Sequence, residues 1–207
     1  MCHILWLFVI GGIIGYIVET SWHMIKYGTY INKQGLWYGP FKPIYGSGLI
    51  IITLLFYKFK DKKWYVIFTL GAVVGLLFEY MMSYLQEFLF HSYFWTYSGS
   101  PLNLHGRIYL PYALFWGLLV LVWIKFGYKH YQKWFDALYS KKFTTISIIL
   151  FVLMLYNVCL TTFIMDRYTK RLRDIPAENK FEEYLDQKYP NEDVKKKLPK
   201  LRVHKDS

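Results

Sequence analysis

Residues 64–90 read WYVIFTLGAVVGLLFEYMMSYLQEFLF, with no lysine or arginine and with Glu79 and Glu87 as the only acids. An α-helix rises about 1.5 Å per residue, so a run of this length is able to cross the roughly 30 Å hydrocarbon core of a lipid bilayer. The stretch therefore predicts a membrane-spanning helix.

The composition of the whole chain agrees with that prediction. Of its 207 residues, 55% are hydrophobic, 21% are aromatic and only 19% are charged. So few charges do not suffice to cover a water-facing surface. Only five of the 14 acidic residues come before residue 166, so we expect lipid to surround the body of the chain.

Long apolar runs predict about five transmembrane helices in an all-α, polytopic membrane protein whose first partner is the lipid bilayer. The transmembrane domain is expected to cover residues 1–165. Its predicted spans are 3–20, 44–59, 64–90, 108–126 and 143–165. The second span is short, so we expect its polar ends to reach the interface by snorkelling.

Residues 166–207 have a different composition, with 12 basic and nine acidic residues and three prolines. This predicts a charged, soluble and partly disordered tail, in which 177–187 is able to form a short amphipathic helix. The remaining excess of basic residues lies in interfacial lysines, which favours anionic lipid headgroups over nucleic acid as a partner. Basic residues balance across the two membrane sides, so the positive-inside rule assigns no orientation.

Two segments share the pattern GxxxGxxxE, namely GGIIGYIVE at 11–19 and GAVVGLLFE at 71–79. Each precedes a loop rich in Trp and Tyr and then an Ile-Tyr pair, at 44–45 and at 108–109. This predicts a parallel internal repeat of helices 1–2 and 3–4, with a fifth helix added. One alternative is a chance match, because glycine is common in membrane helices. A second interpretation of the glycines is that they simply pack helices 1 and 3 together.

The acids of these helices need partners, because an ionised, unpaired carboxylate in a spanning helix costs about 3 kcal/mol or more. Arg107 is the strongest candidate, since a guanidinium stays charged and holds two carboxylates. We therefore expect Glu19, Glu79 and Arg107 to form the centre of a polar cavity. The rest of the predicted substrate- or ion-binding site is Glu87, Asn103, Tyr45, Trp95 and His105.

Other chemistry has less support in the sequence. Glu19 and His23, and likewise Glu87 and His91, lie one helical turn apart, as two metal ligands would. However, no HExxH pattern occurs and interfacial histidines are common, so we predict no metal site and no catalytic residue. The chain also has no GxxxxGK[ST] phosphate loop, which leaves it without a predicted cofactor of its own.

Two loops carry a family resemblance. Residues 35–48, GLWYGPFKPIYGSG, and the WTYS and NLHGR segments at 95–98 and 103–107 resemble the signature loops of a bacterial membrane family labelled putative ABC-transporter type IV, or CmpB-like. The resemblance implies a multi-pass, permease-like protein of the bacterial cytoplasmic membrane. It also implies that ATP acts only through a separate nucleotide-binding subunit. Five helices are few for such a permease, and a homodimer would compensate.

Three functional hypotheses remain open from the sequence. The first is a permease that moves an ion or small solute through the polar intramembrane site. The second is an integral-membrane enzyme acting on a lipid or lipid-linked substrate, with a glutamate as general base and Arg107 holding phosphate. The third is a membrane scaffold whose polar centre is structural. The membrane acids favour transport over catalysis.

Overall fold

The computed structural model describes residues 2–203, which are largely helical, with almost no sheet. The helices are α1 (Cys2–Tyr27), α2 (Pro43–Phe56), α3 (Trp64–Phe90), α4 (Tyr112–Val122), α5 (Tyr128–Leu138), α6 (Lys141–Leu172), α7 (Lys180–Lys188) and α8 (Asn191–Lys197). Two-residue strands form two small antiparallel pairs. They are β1 (Ser92–Tyr93) with β4 (Arg202–Val203), and β2 (Asn103–Leu104) with β3 (Ile108–Tyr109).

The helices confirm an all-α, multi-pass membrane protein. Within residues 2–203, four helices are long and apolar enough to span a bilayer: Cys2–Tyr27, Trp64–Phe90, Tyr112–Leu138 and Lys141–Leu172. The third of these joins α4 to α5 through a π-helical segment, Trp123–Gly127. The predicted second span is a shorter apolar helix, Pro43–Phe59, that ends in a 3₁₀ turn.

The glycines of α1 bring its backbone against α2. A Cβ atom at Gly15 would overlap Cβ and Cγ of Tyr45, and one at Gly11 would lie 2.9 Å from Cβ of Leu49. In the other direction, a Cβ at Gly46 of α2 would lie 2.5 Å from the carbonyl oxygen of Phe8. Small residues allow such close approach where no water drives helices together.

The glycines of α3 make the same kind of contact with α4. A Cβ at Gly75 would lie 2.5 Å from Cβ of Trp116, and one at Gly71 would lie 2.6 Å from Cβ of Val120. A Cβ at Gly117 would lie 2.8 Å from the carbonyl oxygen of Phe68. The glycines therefore pack helices within each hairpin, and the alternative that they join helices 1 and 3 is wrong.

The two hairpins make one matching aromatic contact. Tyr45 packs on Gly15 as Trp116 packs on Gly75. Tyr109, which shares the Ile-Tyr pattern with Tyr45, instead lies in β3, before α4 begins. The loop between α3 and α4 is longer than the loop between α1 and α2, so the matching contact lies further along the chain in the second hairpin.

Residues 176–203, the C-terminal unit, are ordered, which differs from the expected partial disorder. Their apolar side chains bury against α6 and against Trp37 of the loop between α1 and α2. The buried members from this unit are Leu185, Tyr189, Val194, Leu198 and Leu201. The short helices are too small to fold alone, and the long final turns of α6 supply the missing apolar surface.

The C-terminal unit touches the loops of both hairpins. The Trp37 ring meets Tyr189 edge-on, with centroids 5.0 Å apart. At the second hairpin, β4 pairs with β1 immediately after α3. Both loops are therefore held on the same side of the protein, where α1 and α3 end.

Candidate functional site

Glu79 is a buried carboxylate of α3, with 6% of its surface exposed. The Tyr97 hydroxyl donates a 2.8 Å hydrogen bond to Oε1, and Trp116 Nε1 donates a 2.9 Å bond to Oε2. Tyr97 comes from the loop between α3 and α4, whereas Trp116 lies in α4 on the turn that contacts Gly75. Both donors are neutral groups.

Glu19 forms an ion pair with the Lys42 ammonium instead. Lys42 immediately precedes α2, and its backbone N–H donates a 3.0 Å hydrogen bond to the Gly12 carbonyl of α1. This hydrogen bond holds the backbone of Lys42 against α1, the helix that carries Glu19. The two side chains are largely buried, with 14% of Lys42 and 29% of Glu19 exposed.

Tyr45 connects the surroundings of the two glutamates. The ammonium of Lys42, the partner of Glu19, lies over its ring, 5.9 Å from the centroid. Its ring stacks on Trp116 with centroids 6.2 Å apart and planes 25° apart. Two carboxylates of different helices thus lie around one aromatic pair. This arrangement, here named the polar site, consists of Glu19, Lys42, Tyr45, Glu79, Tyr97 and Trp116.

Arg107 occupies a different place from the one expected. It forms an ion pair with Glu87, at the end of α3, and not with Glu19 or Glu79 among the ion pairs of residues 2–203. Its Nη1 also donates to Ser83 Oγ at 3.4 Å. The guanidinium lies over the Tyr84 ring, 5.4 Å from its centroid. Because Arg107 follows β2 in the outer loop, it meets α3 one to two turns beyond Glu79, which corrects the expected three-membered centre.

Three other predicted site residues organise the loop that carries Tyr97. Asn103 Oδ1 accepts from the Gly106 N–H at 2.8 Å, and Trp95 Nε1 donates to the Arg107 carbonyl at 3.1 Å. His105 Nδ1 lies 2.8 Å from the Tyr80 hydroxyl of α3. These bonds fix the conformation of the loop and attach it to α3. They affect the polar site by positioning Tyr97.

Lys42, Tyr97 and Trp116 are the residues that sequence reasoning did not include in the site. Trp116 carried a usable signal, since Tyr45-Gly46 and Trp116-Gly117 are both aromatic-glycine pairs near the start of a helix. Lys42 is a cation next to α2, but the sequence does not show which acid it meets. Tyr97 is one of many interfacial tyrosines, and only the folded loop distinguishes it.

The fold does not bring a cluster of metal-ligating side chains together among the described residues. Within residues 2–203, no group of three or more His, Cys, Asp and Glu side chains lies close enough to hold a metal ion. His23, one of the two histidines spaced for a metal site, has Nε2 3.5 Å from the Thr29 hydroxyl.

Comparison with known proteins places most of this structure in one family. The family described as Putative ABC-transporter type IV matches residues 6–162, which include both hairpins and the whole polar site. The C-terminal unit lies outside the match. No curated protein and no solved structure matches the chain. Since the match covers well over half of its length, the protein belongs to the Putative ABC-transporter type IV family.

Proposed function

We propose that this protein is a permease-like membrane component of a transporter, and that it moves an ion or small solute through the polar site. The family match and the long apolar helices support a transporter-type membrane protein. The surroundings of Glu79 are the observation that favours a role for this site in binding a cation or proton.

Glu79 is buried in a membrane helix and is held by two neutral donors. Hydrogen bonds spread the charge of a carboxylate, but they do not cancel it, and an ionised acid in this position is expensive. Binding of a proton or a monovalent cation removes that charge. Release of the same ion towards water restores it, so Glu79 is suited to alternate between two states.

We also propose that the hairpins α1–α2 and α3–α4 are copies of one unit. The matched glycine contacts support this, since Gly15 faces Tyr45 as Gly75 faces Trp116. Lys42 lies three residues before Tyr45, and the residue three before Trp116 is Ala113. The first hairpin therefore has the Lys42 ammonium beside Glu19. In the second hairpin no lysine takes that position, and in this proposal the transported ion binds beside Glu79 instead.

The remaining parts of the proposal concern assembly. In it, the chain alone conducts the ion down its gradient, and a separate nucleotide-binding subunit couples this flux to ATP hydrolysis, because the chain carries no phosphate-binding loop of its own. A homodimer in the bacterial cytoplasmic membrane would supply the number of helices that a permease needs. The enzyme hypothesis receives less support, since it requires the Arg107 guanidinium to hold phosphate and that guanidinium is already paired with the Glu87 carboxylate.

The test is ion flux into proteoliposomes that contain the full chain. Proton uptake driven by a potassium diffusion potential is followed with a pH-sensitive dye, and Na⁺ and K⁺ fluxes are measured in parallel. We expect the unaltered protein to exceed protein-free vesicles at least about tenfold for one of these ions, and Glu79→Gln to return the flux to baseline.

The matched control is Asp61→Asn, which removes an acid from the exposed turn between α2 and α3. This variant should transport normally. Equal flux for Glu79→Gln and the unaltered protein would contradict the proposal, as would the absence of flux for all three ions. A loss of thermal stability with no change in flux would favour the scaffold hypothesis.

A further inference from the structure

The end of the protein away from the polar site is strongly basic. It comprises the turn between α2 and α3, the π-helical segment Trp123–Gly127, helix α5 and the start of α6, and we name it the lysine end. Nine lysines lie here, with only Asp61 and Asp136 as acids. The ion pairs found among residues 2–203 involve none of these lysines. Among the ion pairs of the described residues, no carboxylate therefore neutralises these lysines.

A groove of about 340 Å³ lies in this end, between the turn that follows α2 and helix α5. Three of the lysines, Lys60, Lys125 and Lys129, line it together with a single acid, Asp61. Neutral hydrogen-bonding groups from Tyr128 and Gln132 complete the polar part of the lining. The groove thus has an excess of positive charge and the donors that an anionic oxygen group requires.

The walls of the groove hold Lys125 in place. Its ammonium donates to the carbonyl oxygens of Lys60 and Lys62, at 2.8 and 2.9 Å. These bonds use two of its three protons and leave one for a ligand. Lys125 belongs to the π-helical segment, and such widened turns often occur at functional sites. The Tyr57 and Tyr128 rings, 5.2 Å apart, close one side.

An exposed apolar stripe lies on the same transmembrane span as Lys125 of the groove. Leu118, Val122 and Phe126 follow one another at four-residue steps along the span that contains Lys125, and they are 52%, 48% and 65% exposed. Such a stripe is suited to acyl chains, while the lysines lie where α4 leaves the hydrocarbon. A ligand with an anionic head and apolar chains would match both features at once.

We propose that this groove binds the headgroup phosphate of an anionic phospholipid, with its acyl chains along the exposed stripe of α4. A basic groove at a membrane interface attracts anionic headgroups, and each lysine that lines the groove and meets the phosphate should contribute about 1 kcal/mol, or roughly fivefold in affinity. A site of this kind would fasten the lysine end to its leaflet and is independent of the polar site at the other end.

The test is native mass spectrometry of the full chain in nonionic detergent, titrated with phosphatidylglycerol or phosphatidylcholine. We expect phosphatidylglycerol to bind at least about tenfold more tightly. The double variant Lys60→Gln, Lys129→Gln should weaken phosphatidylglycerol binding about 25-fold, from two fivefold losses. Lys125 is left unchanged because it also supports the turn between α2 and α3.

The matched control is Lys141→Gln, Lys142→Gln, which removes the same charge from the same end but outside the groove. It should bind phosphatidylglycerol as the unaltered protein does. An equal loss in the control would overturn the proposal in favour of diffuse attraction. Equal binding of the two lipids would overturn it as well.

Free phosphate provides the last arm of the experiment. Inorganic phosphate and glycerol phosphate, added at millimolar concentration, should displace little bound phosphatidylglycerol because they lack acyl chains. Binding of either compound as tight as that of the lipid would identify a site for small phosphates and overturn the lipid assignment. Unchanged melting temperatures of both double variants without lipid would confirm that they are folded.

Discussion

The two hairpins pack in the same way but treat their membrane glutamates differently. In α1–α2, Glu19 forms an ion pair with Lys42, whereas in α3–α4, Glu79 accepts hydrogen bonds from Tyr97 and Trp116. Backbone packing follows from the glycines and is therefore alike. Compensation of the glutamate's charge depends on which side chain the following loop places beside it. It therefore differs between the two hairpins.

The difference has an energetic meaning. An ion pair neutralises both partners inside the protein, so the first hairpin is electrostatically self-contained. Two neutral donors stabilise a carboxylate without removing its charge, so the second hairpin still gains from a proton or cation. The comparison therefore separates a glutamate paired with a cation from one that is held by neutral donors.

Adding a methyl group at the helix contacts should have the largest effect. We expect Gly15→Ala and Gly75→Ala to lower the free energy of unfolding by about 3 kcal/mol each, because the new Cβ atoms collide with Tyr45 and Trp116. Thermal unfolding in detergent measures this loss. Similar losses at the two positions would support matched hairpins.

Gly12→Ala is the control for this comparison. Its Cβ would lie 3.5 Å from Lys42, an ordinary contact distance, so we expect no loss and a small gain from helix propensity. A large loss at only one of Gly15 and Gly75 would show that the hairpins pack differently.

Removal of charge should have an intermediate effect. Lys42→Met strands the Glu19 carboxylate, and we expect it to lower the free energy of unfolding by about 2 kcal/mol, between the values for surface and for buried pairs. Adding Glu19→Gln should restore much of this loss. Glu79→Gln strands no cation and should cost less than about 1 kcal/mol. Equal losses in the free energy of unfolding for Lys42→Met and Glu79→Gln would show that the protein does not hold the two glutamates differently.

Weakening the docking of the C-terminal unit, which contacts the loops of both hairpins, should have the smallest effect on stability. Hydrogen bonds from Arg167 hold the pKa of the Asp186 carboxyl below its ordinary value. Because the docked unit binds the ionised Asp186 carboxylate, this group stabilises docking fully at pH values above its ordinary pKa of about 4. The stabilisation is lost as the pH falls through the lowered pKa. Docking should therefore be constant from about pH 5 to 8 and should loosen below about pH 4.

Asp186→Asn tests this at neutral pH. It should weaken docking by about 1 kcal/mol, since Arg167 keeps Glu182 as a partner. Amide exchange in β1 and β4 measures docking, and the variant should show a flatter acid dependence. Unchanged exchange across all these conditions would show that apolar packing alone holds the unit.

The candidate site was predictable in part. The shared GxxxGxxxE pattern predicted equivalent places for Glu19 and Glu79 in a repeat, which stays a prediction, although glycines of both segments make matching helix contacts. The assignment of Arg107 to these acids was wrong, because charge and proximity in sequence do not determine how far an outer loop reaches into the membrane. Whether any of these residues binds a transported ion stays a prediction.

The sequence by itself determined that helices span a membrane and that small residues bring them together. These properties follow from hydropathy, length and side-chain size, which are local. Only the tertiary structure decided that Lys42 meets Glu19, that Trp116 packs on Gly75 as Tyr45 packs on Gly15, and that the charged C-terminal unit folds. Each depends on contacts between distant segments, where a shift of one helical turn exchanges one partner for another.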